Sequence, residues 1–285
     1  MAALAEYLIG IIILLLFAIF AFKRDALTEE GTLVAIIIGL LVFIFPASPI
    51  AGRIWFTLLA VFFVTSFIVT KFNATSKEAV NREFAKGATR DLMQVFANGA
   101  GAALFAVIYY FYPSNAIFVA FAVVLATVNA DTWATELGVL SKHRPILITT
   151  LKPVERGTSG AVSVVGLAAS LVGALFIALS SVFLLFLNSS YTHVFVPIPG
   201  GVLGFILLVT VFGVIGSLID SWFGATLQIM YYCKKCKKET ERTVHTCGEK
   251  TTYFKGLKFF DNDVVNLASS LIAGAIAWGV FTILF

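Results

Sequence analysis

The chain has 285 residues, of which 59% are hydrophobic and only 13% are charged, and its mean hydropathy is +0.96. A soluble domain is usually about 45–50% apolar and about 25% charged, so this composition excludes an ordinary soluble enzyme. The formal net charge of +4 is too small to indicate a partner until the placement of the charges is known.

Eight long apolar segments follow one another along the chain, and a transmembrane helix needs about 20 such residues. The apolar runs are continuous rather than alternating, which favours helices over the strands of a membrane barrel. We therefore predict an all-α, polytopic integral membrane protein of about eight transmembrane helices. The second span is short and runs into Pro46 and Pro49, so it and the third span are candidates for a tilted or re-entrant hairpin. The predicted spans are 5–22, 32–46, 51–70, 91–112, 115–135, 160–187, 201–230 and 264–285.

The charged residues fall almost entirely on alternate connections. Of the 20 Lys and Arg residues, 19 lie on one side, and so do 15 of the 16 acidic residues; Arg53 and Glu6 are the exceptions. An excess of Lys and Arg marks cytoplasmic connections, so both termini are predicted to be non-cytoplasmic. The orientation of the helices in the membrane does not depend on acidic residues. Their concentration on the same side therefore indicates that the cytoplasmic face carries chemistry. We expect one transmembrane domain over 1–285, with a cytoplasmic insertion at 231–258, located in the cell membrane.

The fourth span opens with Arg90, Gln94 and Asn98, which recur every four residues as one polar stripe on an apolar helix. Such a stripe faces a polar cavity or partner helices rather than lipid. Arg90 is a candidate phosphate ligand because its guanidinium matches phosphate geometry. An interfacial Arg that extends toward water is the structural alternative.

The fifth span ends in A-D-T-W-A-T-E-L-G, which places Asp131 near its inner end and Glu136 five residues later. An ionisable group costs about 2.5–3.5 kcal/mol near the bilayer centre and less near the interface. A functional role is therefore predicted for Asp131, and a place near bound phosphate for Glu136. A capped helix end with a solvated acid remains the alternative, most of all for Glu136.

The segment K-P-V-E-R-G-T-S-G places two cations and a Gly-Thr-Ser turn just before the sixth span. A helix N-terminus suits phosphate because it offers free N–H groups and the positive end of the helix dipole. Thr158 or Ser159 is expected to cap the helix; an ordinary capped helix with positive flanks is the alternative. The candidate phosphate-binding residues are Lys152, Glu155, Arg156, Gly157, Thr158 and Ser159.

The last two spans carry more acids. Asp220 lies toward the inner end of the seventh span, one turn after Gly216, where close helix packing is possible. A bound cation or an interhelical hydrogen bond is expected for it. Asp261, Asp263 and Asn266 open the eighth span with oxygen donors of the kind that Mg²⁺ prefers, although acids in a first turn also simply complement the helix dipole.

The insertion holds all three cysteines and reads C-x₂-C-x₈-H-x-C over Cys233, Cys236, His245 and Cys247. A reducing cytoplasm disfavours disulfides, and zinc takes four S and N donors of this type. We predict a structural zinc site, with four unbound side chains in a basic loop as the alternative. The six Lys and Arg residues between 234 and 250 are also candidates to hold anionic headgroups or a nucleotide.

Five blocks of the sequence together resemble the transmembrane protein 19 family, also called domain of unknown function 92, which includes the plant phytyl-phosphate kinase. The resemblance runs from about Ala26 to the C-terminus. It also implies a distant relation to the CTP-using dolichol and phytol kinases. Their D…G…K-x-x-E-G pattern is echoed by Asp131, Gly138, Lys152, Glu155 and Gly157, with Arg156 interrupting it. The blocks are T-R-D-L-M-Q-V-F-A-N-G, A-D-T-W-A-T-E-L-G, K-P-V-E-R-G-T-S-G-A-V-S, G-S-L-I-D-S-W-F-G-A-T-L-Q and D-N-D-V-V-N.

The polar clusters and the resemblance together predict a membrane prenyl-phosphate kinase. It would transfer a phosphoryl group from a nucleoside triphosphate, CTP by family resemblance, to an isoprenyl monophosphate. Asp131, Lys152 and Asp220 are the predicted catalytic residues, and Asp131, Asp220, Asp261, Asp263 and Asn266 the predicted Mg²⁺ ligands. Arg90, Gln94, Asn98, Glu136 and residues 155–159 are predicted to bind phosphate. Membrane lipids are expected around the protein, and nothing points to nucleic acid.

Two other functions stay open from sequence. A cytidylyltransferase acting on a lipid phosphate would use the same parts. An ion-coupled transporter is disfavoured, because transporters tend to place ionisable residues near the bilayer midplane, often in inverted repeats. Here the acids cluster at one face and no repeat is evident.

Overall fold

The computed structural model describes residues 2–46, 48–75, 77, 87–188 and 198–284. Within these residues eight long helices carry most of the chain, as the apolar runs predicted. They are α1 (Ala2–Lys23), α2 (Glu29–Ile44), α3 (Pro49–Lys71), α4 (Leu92–Phe111), α5 (Asn115–Gly138), α6 (Val164–Phe186), α7 (Gly201–Thr226) and α8 (Asn262–Leu284). Five short strands lie between them: β1 (Ile146–Leu147), β2 (Ala161–Val162), β3 (Met230–Cys233), β4 (Lys238–Thr240) and β5 (Thr252–Lys255).

Seven of the described helices are long and apolar enough to cross a membrane. The exception is α2, whose 16 residues fall short of the roughly 20 that a span needs; it packs against α1, α3 and α4. Large apolar side chains point outward along the helices, including Leu8, Leu16 and Ile37, each more than half exposed. Apolar outer surfaces of this kind need lipid around them, so the prediction of a helical integral membrane protein is confirmed.

Helix α5 is the centre of the bundle. Its residues from Ala116 to Ala130 are all buried, and it packs against α3, α4, α6, α7 and α8. A helix that is apolar all round is found in a protein core or in a membrane, and here five neighbouring helices bury it. Gly216 of α7 lets one neighbour approach closely, since a Cβ at that position would overlap the Thr127 side chain of α5.

Side-chain caps fix several helix ends and explain where the predicted boundaries were wrong. Ser163 caps α6 by accepting a hydrogen bond from the backbone N–H of Gly166. The sixth span was predicted to start at residue 160, but the residues before Ser163 belong to β2 and its turn. The seventh span was predicted to reach residue 230, yet α7 ends at Thr226 because the chain then enters β3.

The strands were not predicted from sequence. β1 and β2 form an antiparallel pair between α5 and α6. β3, β4 and β5 form an antiparallel sheet in the order β4-β3-β5, and this sheet builds the insertion at 231–258 between α7 and α8. Both sheets lie at the end of the bundle where α5 and α7 finish and α6 and α8 begin.

Candidate active site

A cavity of about 590 Å³ opens at this end of the bundle, among α4 to α8 and the two sheets. We call it the polar cavity. Residues from five separate stretches of sequence meet there, so the predicted common pocket is present. The predicted site residues that line it are Arg90, Gln94, Asn98, Asp131, Glu136, Arg156, Gly157, Thr158, Ser159, Asp220, Asp261, Asp263 and Asn266.

Two carboxylates from neighbouring helices approach each other in the polar cavity. Asp131 on α5 interacts with the Ser217 side chain of α7. Asp220 on α7 is only 8% exposed, accepts a hydrogen bond of 2.9 Å from Ser269 Oγ of α8, and is close enough to Asp131 for electrostatic repulsion. Serine hydroxyls stabilise each carboxylate, but the repulsion between the two acids remains. Such a pair is suited to hold a divalent cation.

Helix α8 adds the other predicted metal ligands. Asp261 caps this helix, since its Oδ1 accepts hydrogen bonds of 3.1 Å from the backbone N–H groups of Asp263 and Val264. That oxygen of Asp261 is thus engaged at the start of the helix, which agrees with the alternative that acids in a first turn complement the helix dipole. Asp263 is 3% exposed and Asn266 is half-buried, and both line the polar cavity beside Asp261.

Arg90 is held rigidly at the edge of the polar cavity. Its backbone pairs with the segment between α1 and α2, through hydrogen bonds to Ala26 O and from Thr28 N. Its guanidinium lies over the Phe63 ring at 5.2 Å, and its Nη1 is buried without a hydrogen-bond partner among the described residues.

Arg90 nevertheless stays charged at neutral pH. Burial lowers the pKa of Arg90 to about 10, while the charge of Glu136 opposes that shift. A buried, charged donor without a partner costs free energy, which an anionic oxygen in the polar cavity would recover.

Glu136 is part of an ion pair that the sequence analysis missed. Lys77 Nζ is fully buried, lies 2.7 Å from Glu136 Oε2, and also donates to Val69 O at 2.7 Å. The predicted phosphate-binding role of Glu136 is therefore not supported, because its carboxylate already neutralises a buried cation and would repel phosphate. Lys77 had been counted only as one of many basic loop residues.

The turn at residues 157–160, which we call the glycine turn, lies at a different place in the chain's secondary structure from the one predicted. Gly157 and Gly160 adopt positive φ values of 86° and 78°, and the turn packs against the end of α7, where a Cβ on Gly160 would overlap the backbone at Ala225. Gly157 to Ser159 therefore lie in the turn before β2, not in the first turn of α6. The expected cap at Thr158 or Ser159 is wrong, since Ser163 fills that position.

Lys152 and Glu155 do not join the site. Both are exposed, and neither lines the polar cavity. The backbone of this segment pairs with β1, with Leu147 N donating to Lys152 O at 3.0 Å, and the two side chains point to solvent. The catalytic role predicted for Lys152 and the phosphate-binding role predicted for Glu155 find no support in this geometry. Arg156, the residue after Glu155, does line the polar cavity.

Several serines that the sequence analysis did not single out line the polar cavity. Ser170 Oγ on α6 is buried and has no hydrogen-bond partner among the described residues. With Ser163 and Gly166 it follows a three- and four-residue spacing, which puts all three on one face of the helix. That spacing was the available signal, but serines are common on packed transmembrane helices.

The charges lining the polar cavity are unequal. Among the described lining residues are six carboxylates and four cationic side chains, and one of the six, Glu136, is already paired with Lys77. The acids are Asp131, Glu136, Asp220, Glu241, Asp261 and Asp263, and the cations are Arg90, Arg156, Arg242 and Lys258. A phosphate would enter this surplus of negative charge only together with a cation.

An apolar groove adjoins the polar cavity. It runs among α1 to α4 and is lined by side chains such as Leu14, Phe17 and Phe63. Three polar residues, Arg90, Gln94 and Asn98, line both the groove and the polar cavity. An apolar chain in the groove would thus end at the buried guanidinium.

The four predicted zinc ligands meet elsewhere, in the insertion, where their ligand atoms lie within 4.8 Å of one another. A backbone hydrogen bond with Glu249 and the His245 side chain lower the pKa of Cys247 to about 6. A hydrogen bond with Cys247 raises the pKa of Cys236 to about 11.

Comparison with known proteins places the chain among membrane proteins. A model of the family described as integral membrane protein DUF92 matches residues 12–274. The chain is 33% identical over 278 residues to Protein PGR of Arabidopsis thaliana, with 92% of each chain covered. It is 30% identical over 228 residues to an uncharacterized membrane protein of Methanocaldococcus jannaschii, covering 80% of this chain and 86% of the relative.

A partial match links the chain to a second plant protein. It is 30% identical over 138 residues to Protein VTE6, chloroplastic, of Arabidopsis thaliana, covering 47% of this chain and 41% of that protein. No solved structure matches the chain. The match of the family model over most of the chain shows that it belongs to the DUF92 family of integral membrane proteins.

Proposed function

We propose that the protein is a prenyl-phosphate kinase that moves a phosphoryl group from a nucleoside triphosphate to an isoprenyl monophosphate at the cytoplasmic face. One observation supports this most strongly. The guanidinium of Arg90, whose buried Nη1 has no hydrogen-bond partner among the described residues, lies where the apolar groove meets a cavity rich in carboxylates. The resemblance to the family that includes phytyl-phosphate kinase supports the same class of substrate.

The acceptor lipid would use both surfaces. The groove among α1 to α4 has a volume of about 70 Å³, so it would hold the first carbons of the apolar tail while the rest lies in the surrounding lipid, and the phosphate would lie against Arg90. Guanidinium forms strong, directional hydrogen bonds with phosphate oxygens, which would satisfy the buried Nη1. Gln94 and Asn98, on the next turns of α4, line the same junction. A tail that avoids water and a headgroup that needs a charge partner fit this pair of environments.

The residues present fit Mg²⁺ as the cofactor. Asp131, Asp220 and Asp263 would hold it, with Asp261 and Asn266 beside them, and all are the hard oxygen donors that this ion prefers. When bound, Mg²⁺ would neutralise the charge of the transferred phosphoryl group and its neighbours. The described lining residues of the polar cavity include more carboxylates than cationic side chains, which favours the positive charge of Mg²⁺ there.

The donor would lie on the opposite side of the polar cavity, near the glycine turn and the start of α6. Arg156 lines the cavity there beside the glycine turn, and its guanidinium, which donates to Lys142 O at 3.1 Å, offers further N–H donors. An oxygen of the acceptor phosphate attacks the γ-phosphorus, and the bond from that phosphorus to the bridging β-γ oxygen breaks. The products are an isoprenyl diphosphate and a nucleoside diphosphate. The acceptor is already anionic, so positioning and charge neutralisation supply most of the rate.

The test is a turnover assay with purified protein in lipid nanodiscs, Mg²⁺, labelled nucleotides and isoprenyl monophosphates of several lengths. With CTP, γ-label recovered in the lipid supports the kinase. Recovery of α-label in the lipid would show a cytidylyltransferase, and absence of turnover with every nucleotide and lipid would refute the proposal. Asp220→Asn tests the site, and Asp25→Asn is the matched control, since Asp25 is exposed, lies outside the polar cavity and has a φ of 55° that Asn tolerates.

A further inference from the structure

The insertion contains a preformed set of four metal ligands. Cys233 ends β3, Cys236 lies in the following turn, and His245 and Cys247 lie in the turn between β4 and β5. Cys233 Sγ and Cys247 Sγ are 3.7 Å apart. Two sulfurs bound to one tetrahedral zinc at about 2.3 Å would be separated by about 3.8 Å, so the observed spacing matches one shared ion.

The remaining contacts agree with a metal site rather than a disulfide. His245 Nδ1 lies 3.2 Å from Cys247 Sγ, and the backbone N–H of Cys236 donates to Cys233 Sγ at 3.5 Å. All three cysteines are free. A disulfide would bring two sulfurs to about 2.05 Å, which would remove those thiolates from the ligand set.

The insertion has almost no apolar core of its own. Among residues 231–258 only Cys233, Thr240 and His245 are buried, and two of these three are ligand candidates. Strands of three or four residues with so little buried surface need another source of stability. A metal ion that binds only the folded arrangement provides it, because its binding free energy then counts toward folding.

The insertion also supplies part of the lining of the polar cavity. Glu241, Arg242 and Thr243 follow β4 and line the cavity, and we call these three residues the rim. Gln228 joins this rim to the glycine turn, since its Nε2 donates to Glu241 Oε1 at 2.9 Å and its Oε1 accepts from Ser159 Oγ at 2.6 Å. The rim lies in the chain between Cys236 and His245, so an ion that joins these two ligands closes the loop that carries the rim.

We infer that Cys233, Cys236, His245 and Cys247 bind one Zn²⁺, and that this ion holds Glu241 and Arg242 at the mouth of the polar cavity. The ion is structural, since four protein ligands leave no open position for a substrate. The inference does not depend on which reaction the cavity catalyses.

Metal content tests the site directly. Purified wild-type protein, incubated with ZnCl₂ and desalted, should retain one zinc per chain by mass spectrometry, and Cys247→Ser should retain less than about a tenth of that. Lys235→Ser, in the turn that holds Cys236 but with no ligand atom, should retain the full amount. Replacement of zinc by Co²⁺ should give a thiolate-to-metal charge-transfer band. A wild-type protein without zinc, or a Cys247→Ser protein with a full equivalent, would overturn the site.

Proteolysis tests the link to the rim without relying on a variant that folds. The insertion offers trypsin several Lys and Arg residues, among them Lys238 and Arg242. Removal of zinc from wild-type protein by a chelator should speed cleavage within 234–250 at least about tenfold, because the hairpin opens locally, and renewed zinc should reverse the change. Cleavage that is equally fast with and without zinc would refute the role in holding the rim. Neither measurement uses a substrate, so each outcome is independent of the proposed kinase activity.

Discussion

Replacement of Arg90 by Met separates a binding role from a structural one. The backbone hydrogen bonds of Arg90 with Ala26 and Thr28 do not involve its side chain, so they survive the change. Met keeps an apolar stem against Phe63 and removes only the charge and the donors. The loss of a hydrogen bond between charged partners costs about 1.5–3 kcal/mol, which corresponds to a decrease in kcat/KM for the acceptor of roughly 10- to 160-fold.

The same substitution should leave the unliganded fold nearly unchanged. Loss of the cation–π contact with Phe63 costs about 0.5–2 kcal/mol. Removal of a buried donor that has no described partner returns about 1–3 kcal/mol. The two effects oppose each other, so the net change in the free energy of unfolding is expected to be within about 1 kcal/mol or stabilising.

The assay compares initial rates at varied acceptor concentration with denaturant unfolding of the same preparations. Arg24→Met is the matched control, since Arg24 lies over Phe20 at 5.1 Å in a similar contact but is exposed and outside the polar cavity. If Arg90→Met unfolds more easily by over about 3 kcal/mol while its folded fraction turns over normally, the reasoning is refuted and Arg90 is structural.

Three further predictions follow from the described contacts. Asp220→Asn should lower kcat at least about 100-fold and weaken the Mg²⁺ dependence of the rate, whereas Asp25→Asn should leave both unchanged; equal Mg²⁺ titration curves for Asp220→Asn and wild type would contradict the metal assignment. Glu136→Gln should destabilise by about 3–5 kcal/mol, because it leaves the buried charge of Lys77 without its counter-ion, and Lys77→Met added to it should restore part of that loss in a double-mutant cycle. Lys152→Ala should keep the turnover rate within about threefold, as expected for an exposed side chain; a large loss would restore the role that the family pattern implies.

The helices could be predicted because each is a continuous apolar run, and such runs have one stable form in lipid. Their ends could not, because a cap depends on one side chain meeting one backbone group. Ser163 moved the start of α6 past the glycine turn in this way. The strands of the insertion escaped notice because they are only three or four residues long and their pairing depends on contacts between residues distant in the sequence.

The convergence of polar residues was predictable from the alternation of the connections, which puts the same ends of α5 and α7 beside the starts of α6 and α8. The roles of individual residues were harder to predict from the sequence. Lys77 looked like any basic loop residue, yet it is fully buried against Glu136. Lys152 looked like a phosphate ligand, yet strand pairing turns it to solvent. In both cases the outcome depends on contacts that a sequence pattern does not show, namely an ion pair with Glu136 for Lys77 and backbone pairing with β1 for Lys152.

The charges of the polar cavity narrow the class of ligand. The close acids Asp131 and Asp220 favour a cation, and the buried Nη1 of Arg90, which has no hydrogen-bond partner among the described residues, favours an anion. A transported cation would satisfy the acids and leave the buried guanidinium without a partner. An anion alone would relieve Arg90 and enter a surplus of carboxylates. A phosphate accompanied by a divalent cation would meet both demands at once, and under the proposed function the apolar groove that ends at Arg90 would favour a phosphate that carries a lipid tail.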